Sequence, residues 1–204
     1  MKTAFAFLVF FLCSFASVHA SELDPDLSVP VPAVTLDAAG NPVMTVSVTS
    51  SEKDFDFLVG HWKLTNRKLT CRLQGCTTWK PEFVSFVDMQ QVLAGKGNID
   101  KYHEDVAGKV FDGLAVRLYD PQSRLWSIYW ADGNRGNFDP PLTGSFVHGV
   151  GHFFGRDRFN GKDILVVFRW DARHPARPIW SQGFSQDGGK TWEWNSINVS
   201  ERLP

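Results

Sequence analysis

His152-Phe153-Phe154-Gly155-Arg156-Asp157-Arg158-Phe159-Asn160-Gly161-Lys162-Asp163-Ile164-Leu165-Val166-Val167-Phe168-Arg169-Trp170 is the stretch that decides the fold. Two runs rich in β-branched and aromatic residues flank Asn160-Gly161. That dipeptide suits a two-residue turn whose central positions both need positive φ. The stretch therefore reads as an antiparallel hairpin of strands near 152–159 and 163–170. Working outward, no segment sustains a helical apolar period, and the same short-strand texture repeats. Further strands read near 61–70, 77–87, 92–103, 110–119, 125–132, 143–148, 179–184 and 191–199. Asp120-Pro121 and Asp187-Gly188-Gly189 are among the turns between them. A meander of about ten strands loses its exposed edges by closing on itself. The expected fold class is all-β: a single antiparallel up-and-down barrel, with a two-sheet sandwich as the alternative. Phe55-Asp56-Phe57-Leu58-Val59 is the one short helical turn, suited to plugging an end.

The chain falls into three parts. Met1-Lys2 and the uncharged run Ala4 to Val18 read as a signal peptide over 1–20, with Val18 and Ala20 before the Ser21 junction. The run is shorter than the roughly 20 apolar residues of a membrane span. Residues 21–53 hold four prolines and few large apolar groups, as in a linker or loosely attached arm. Within it, β-formers on either side of Asp37 to Asn41 suggest a small hairpin. The barrel domain is expected over 54–204. Cleavage leaves 204 − 20 = 184 residues, a length that suits one domain.

A net charge of −1 without long charged runs argues against a nucleic-acid partner, and no membrane contact is expected after cleavage. Eight Trp and seventeen Phe, several of the Phe leaving with the leader, make a large aromatic core available. With Cys13 gone, Cys71 and Cys76 flank Arg72-Leu73-Gln74-Gly75. In an exported protein such a pair is expected to form a disulfide across a turn, two free thiols being the alternative. Export to the periplasm or beyond the cell is the localisation these features suggest.

At Gly60-His61-Trp62 the chain resembles the start of lipocalins and related calycin barrels. The resemblance implies a Trp closing the barrel floor and a Gly permitting close backbone approach. A longer set extends it: Asp54 to Trp62, Leu93-Ala94-Gly95-Lys96-Gly97-Asn98 and Arg117-Leu118-Tyr119-Asp120-Pro121. Trp126-Ser127-Ile128-Tyr129-Trp130 and the closing Phe184 to Trp194 complete it. Together these resemble bacterial lipocalin-like proteins of a family without assigned activity, over about 54–200. The resemblance implies the barrel and no particular reaction. Ser185-Gln186-Asp187-Gly188-Gly189-Lys190-Thr191-Trp192 matches the Asp-box pattern of sialidases and other propellers. A single box without a repeating blade reads as a structural turn.

Side chains two apart share a strand face. Trp126 and Trp130 then align, as do Trp180 and Gln182, while Trp194 is grouped with Ser196 and Asn198 and Trp62 starts a further face. Pointing inward, they form an aromatic pocket with a few amides, suited to a small apolar ligand. Pointing inward in a tight barrel, they fill it solid. Arg117 and Arg169 lie in apolar strands. Inside, either is a candidate clamp for a ligand carboxylate, although alternation with apolar neighbours favours the outer face for both. His148 and His152 read as a surface pair, and His61 as outward. His103 lies beside Glu104 and Asp105, where acid–base work would require a pocket.

No metal or nucleotide motif occurs, and the late strands offer haem only His174 in a Pro-flanked loop, so no metal or cofactor is expected. The leading expectation is an exported barrel binding a small hydrophobic or amphipathic molecule. The ligand-binding candidates are Trp62, Arg117, Trp126 and Trp130, then Arg169, Trp180, Gln182 and Trp194. A small-metabolite isomerase, cyclase or hydrolase with a cavity acid or base is one alternative, although no catalytic residue is singled out. A solid structural or partner-binding barrel is the other.

Overall fold

Asn160 and Gly161 take φ of 49° and 78° in the computed structural model, which describes residues 30–204. These are the positive angles a two-residue turn between twisted strands requires. The turn joins β9 (Val150–Phe159) to β10 (Lys162–Asp171) in full antiparallel register, Lys162 opposite Phe159 and Asp171 opposite Val150. The expected signal peptide and residues 21–29 lie outside the described residues.

Nine-residue β3 (Gly60–Lys68) begins the barrel. It continues through β4 (Phe83–Val92), β5 (Gly97–Val106), β6 (Lys109–Asp120), β7 (Leu125–Asp132) and β8 (Leu142–Val147). After β9 and β10 come β11 (Ile179–Ser185) and β12 (Glu193–Arg202). Each strand pairs antiparallel with its sequence neighbour, and β12 pairs with β3 to close a ten-strand barrel. No edge of this sheet is left open, which rules out the sandwich.

The strand expected over 77–87 starts instead at Phe83. Pro81 has no N–H for a ladder, and Trp79 makes only an isolated bridge to Leu69. The strand expected from 92 starts at Gly97, after a short 3-10 turn at Leu93–Gly95. Cys71 and Cys76 are joined in a disulfide, as expected.

One half of the barrel is solid. The 3-10 turn Asp56–Leu58 crosses its end and delivers Phe55 and Leu58 into the interior. The Phe55 ring lies edge-on to both Trp126 and Phe146, at 5.0 Å from each. Burying each such side chain contributes about 2 kcal/mol. Trp62 donates its indole N–H to the Leu58 carbonyl (2.7 Å). Arg202, at the end of β12, stacks on Trp62 at 4.2 Å and donates to the carbonyls of Val59 and Phe57 (2.6 and 2.7 Å). Gly60 is required here: its φ is +117°, and a Cβ would meet the Arg202 guanidinium at 2.9 Å.

The segment before the barrel forms the small hairpin β1 (Thr35–Leu36) and β2 (Pro42–Val43). It lies on the outside of the late strands. Arg156 donates to the Ala39 carbonyl, and Ser47 N–H donates to Ser145 Oγ. Arg124 donates to the carbonyls of Val48 and Ser50. Among the described residues no helix is long and apolar enough to cross a membrane.

Candidate functional site

The other half of the barrel is hollow. A cavity of about 470 Å³ opens at this end, within the range typical of small-molecule sites. Its wall is aromatic, formed by Phe111, Trp130, Phe168, Trp170, Trp180 and Phe184. Alternation along β6, β7, β10 and β11 aims these side chains inward. Phe168 and Trp180 meet edge to face at 5.1 Å. Trp130 lies flat against β6 because Gly113 is there: a Cβ would sit 2.2 Å from the indole.

Polar and charged groups share the lining with these rings. Asn66 donates to Ser85 Oγ at 2.8 Å, and Gln182 donates to Asn195 Oδ1 at 2.8 Å. Asn198 lines the cavity with its Oδ1 buried and without a hydrogen-bond partner among the described residues. Tyr102 donates its hydroxyl to Glu104 Oε2 at 2.5 Å. Burial, and then that bond, push the Tyr102 phenol well above its ordinary value. Lys68 Nζ lies 3.8 Å from Glu104; burial holds its ammonium below the usual lysine range despite that carboxylate. Arg72 reaches the cavity from the disulfide-closed loop and lies over the Phe184 ring at 5.5 Å.

The residues singled out in the sequence divide into three groups. Trp130, Trp180 and Gln182 line the cavity together. Trp62, Trp126 and Arg117 point inward but lie below its floor. Arg117 is thus on the inner face, contrary to the outer placement that alternation favoured. It donates to Asn98 Oδ1 (2.9 Å) and Asp100 Oδ2 (2.6 Å), partners on the neighbouring β5, beneath the rings of Phe55 and Trp170. A buried cation is tolerated only when paired in this way, and these bonds tie β6 to β5 beneath the cavity.

Arg169 and Trp194 lie outside the barrel. Arg169 does face outward but is buried at 1% exposure, in register between His152 and Ser181. Trp194 is turned by a bulge. Gln182 pairs with Ser196 and Gly183 with Trp194, leaving Asn195 as the extra residue. That shift breaks the period of two and lays Trp194 on the outer side with Gly183 and Val167. The site residues that pattern reading passed over are Lys68, Arg72, Tyr102 and Phe168; Asn66 lies on the face that Trp62 starts. Phe168 had a signal, since it alternates with Val166 and Trp170.

The histidines separate as well. His61 and His103 face outward, beside Asp88 and Asp112. His148 sits in the exposed β8–β9 turn, but His152 is not the surface residue expected. It is buried on the outer face beside Arg169 and Asp171, its Nε2 without a hydrogen-bond partner among the described residues. Burial first, then the Arg169 charge, lower its pKa to about 4 against a weaker opposing effect of Asp171.

The Asp-box is a structural turn. Asp187 Oδ1 accepts the N–H groups of Lys190 and Thr191 (both 3.0 Å), and its Oδ2 accepts the Thr191 hydroxyl (2.6 Å). Those bonds hold the Asp187 carboxyl far below its ordinary value.

A closed antiparallel barrel, plugged where a short turn enters Gly-x-Trp and hollow at the opposite end, is the lipocalin-like or calycin architecture. Among solved structures, the S-type phycobiliprotein lyase CPES from Guillardia theta is similar to this chain. The TM-score is 0.54 at 14% identity, covering 77% of this chain and 94% of that one. This likeness is one of fold. No protein-family model matches the chain, and no curated protein matches it.

Proposed function

We propose that the protein is an exported lipocalin-like carrier or sensor that binds a small hydrophobic or amphipathic molecule in the hollow half of its barrel. The observation that carries this reading is the 470 Å³ cavity, in which an aromatic wall is combined with amides and with charged side chains such as Lys68, Arg72 and Arg135. Trp130, Trp180 and Gln182 are the sequence candidates placed to touch such a ligand. The bridged cysteine pair and the apolar leader support export. The fold it shares with a phycobiliprotein lyase agrees with a small-molecule role, but carries no ligand across at 14% identity.

An isomerase, cyclase or hydrolase needs an acid or base titrating near the working pH. Tyr102, the phenol on the cavity wall, is pushed away from that range, and Asp100 is paired to Arg117 below the floor. Binding is therefore favoured over turnover. The test is titration with N-phenylnaphthylamine, a neutral apolar probe, read by its own emission and by quenching of Trp fluorescence. Saturable binding is expected, weakened about tenfold or more by Trp180→Ala. Trp194→Ala, outside the barrel, is expected to leave binding unchanged. Absence of saturable binding to the folded protein overturns the reading.

A further inference from the structure

The cations around the cavity mouth are not equivalent. Arg135 is engaged by Asp132 and Asp139, Arg158 by Asp163, and Arg156 by the Ala39 carbonyl and Asp163. Arg72 differs: its guanidinium makes no ion pair and no hydrogen bond to a described residue, and only the Phe184 ring supports it. Glu193 is near enough to favour the charge, but both its oxygens accept the Leu73 N–H, at 2.7 and 2.9 Å.

The loop holds Arg72 in place. Cys71–Cys76 closes it, Leu73 packs against the barrel's apolar core, and the bond to Glu193 fastens it to β12. Lys68, at the end of β3, lines the same cavity and is close enough to Arg72 for the two charges to oppose each other. Arg72, with its donors unused, lies beside Lys68, whose one carboxylate partner, Glu104, is 3.8 Å away and also accepts the Tyr102 hydroxyl; a further anion would relieve this arrangement. The rings of Phe168, Trp170, Trp180 and Phe184 line the same cavity.

Accepting that the cavity binds an amphipath, we propose that Arg72 and Lys68 form an anion-reading mouth, so that the ligand is an amphiphile with a carboxylate head. Arg72 offers a planar fork matched to two carboxylate oxygens, and Lys68 a point charge. The apolar chain then runs inward along Trp180 and Phe168.

Displacement of N-phenylnaphthylamine from the disulfide-bonded protein tests this, with dodecanoate, dodecanol and dodecyltrimethylammonium as competitors. Dodecanoate is expected to bind about tenfold or more tighter than dodecanol, although the alcohol is the more easily desolvated. Arg72→Gln should shrink that ratio to about twofold, and Arg72→Lys should restore part of it. High salt should reduce the ratio in the wild type. Equal binding of acid and alcohol, or preference for the cationic amphiphile, overturns the proposal while leaving the cavity reading standing. Failure of the neutral probe itself to bind removes both.

Discussion

Asn198 shows how a single side chain separates stability from function in this barrel. Its Oδ1 is buried on the cavity wall without a partner among the described residues, a state that costs about 1–3 kcal/mol in a protein interior. Its register partners are Trp180 and Asn66, and the Asn66 amide donates instead to Ser85 Oγ and to the Leu64 and Phe83 carbonyls. Replacing it with an apolar side chain of similar volume removes the unmet acceptor. Asn198→Leu is therefore expected to raise Tm, by about 2–4 °C for each kcal/mol recovered in a chain of this size. It is also expected to weaken any ligand whose inner end carries a hydroxyl or N–H. A thermal melt that falls in the variant would show that the oxygen is already satisfied in the folded protein. Groups left unsatisfied in this way belong to sites that trade stability for recognition.

At the scale of elements, the pre-barrel arm and the outer face of β8–β10 form one unit. Ser47 N–H donates to Ser145 Oγ, and Ser145 is the register partner of His152. Arg169 and Asp171 on β10 and Arg173 beyond it are the charged groups around that histidine, with Arg173 bound to Asp171. His152 has a folded value of about 4 against an ordinary 6.5. The folded protein thus binds fewer protons than the unfolded chain, and the stability held by neutral His152 is complete above pH 6.5 and drawn down as pH falls toward 4. Its size is on the order of 3 kcal/mol. His152→Phe keeps the stack on Phe154 and removes the titration, so Tm should fall less steeply with acidification than in the wild type. Parallel curves would sink the idea. The strands themselves were legible because Asn160-Gly161 and its counterparts punctuate them, and period two placed Trp130 and Trp180 correctly. The reading slipped where pairing between strands decides orientation. Asn195 as a bulge turns Trp194 outward, and Arg117 points inward because Asn98 and Asp100 wait on the next strand. Arg72 left no linear signal, since its place depends on Leu73 meeting Glu193 across 120 residues.

For the molecule as a whole, the uneven filling of one closed sheet implies uneven stability. The plugged half contains Phe55, Trp62, Met89, Trp126 and Phe153, each at 1% exposure or less. The hollow half has the same ladder of backbone bonds but lacks side chains in contact across its middle. Local opening draws on contact density, so strand ends around the cavity should open at lower free energy than those around the plug. Amides near Trp62, Met89 and Trp126 are then expected to exchange with solvent only on global unfolding. Those near Lys68, Tyr102 and Phe111 should exchange by smaller openings. Binding stabilises only conformations that keep the cavity intact. Saturating N-phenylnaphthylamine should therefore slow exchange most at the hollow end, where local openings destroy the site, and at the plugged end only through the global term. Hydrogen exchange read by residue distinguishes this from a uniformly stable barrel, in which bound probe would slow every strand equally. Uniform slowing would mean that the two halves open together, so that the cavity is as rigid as the core beneath it.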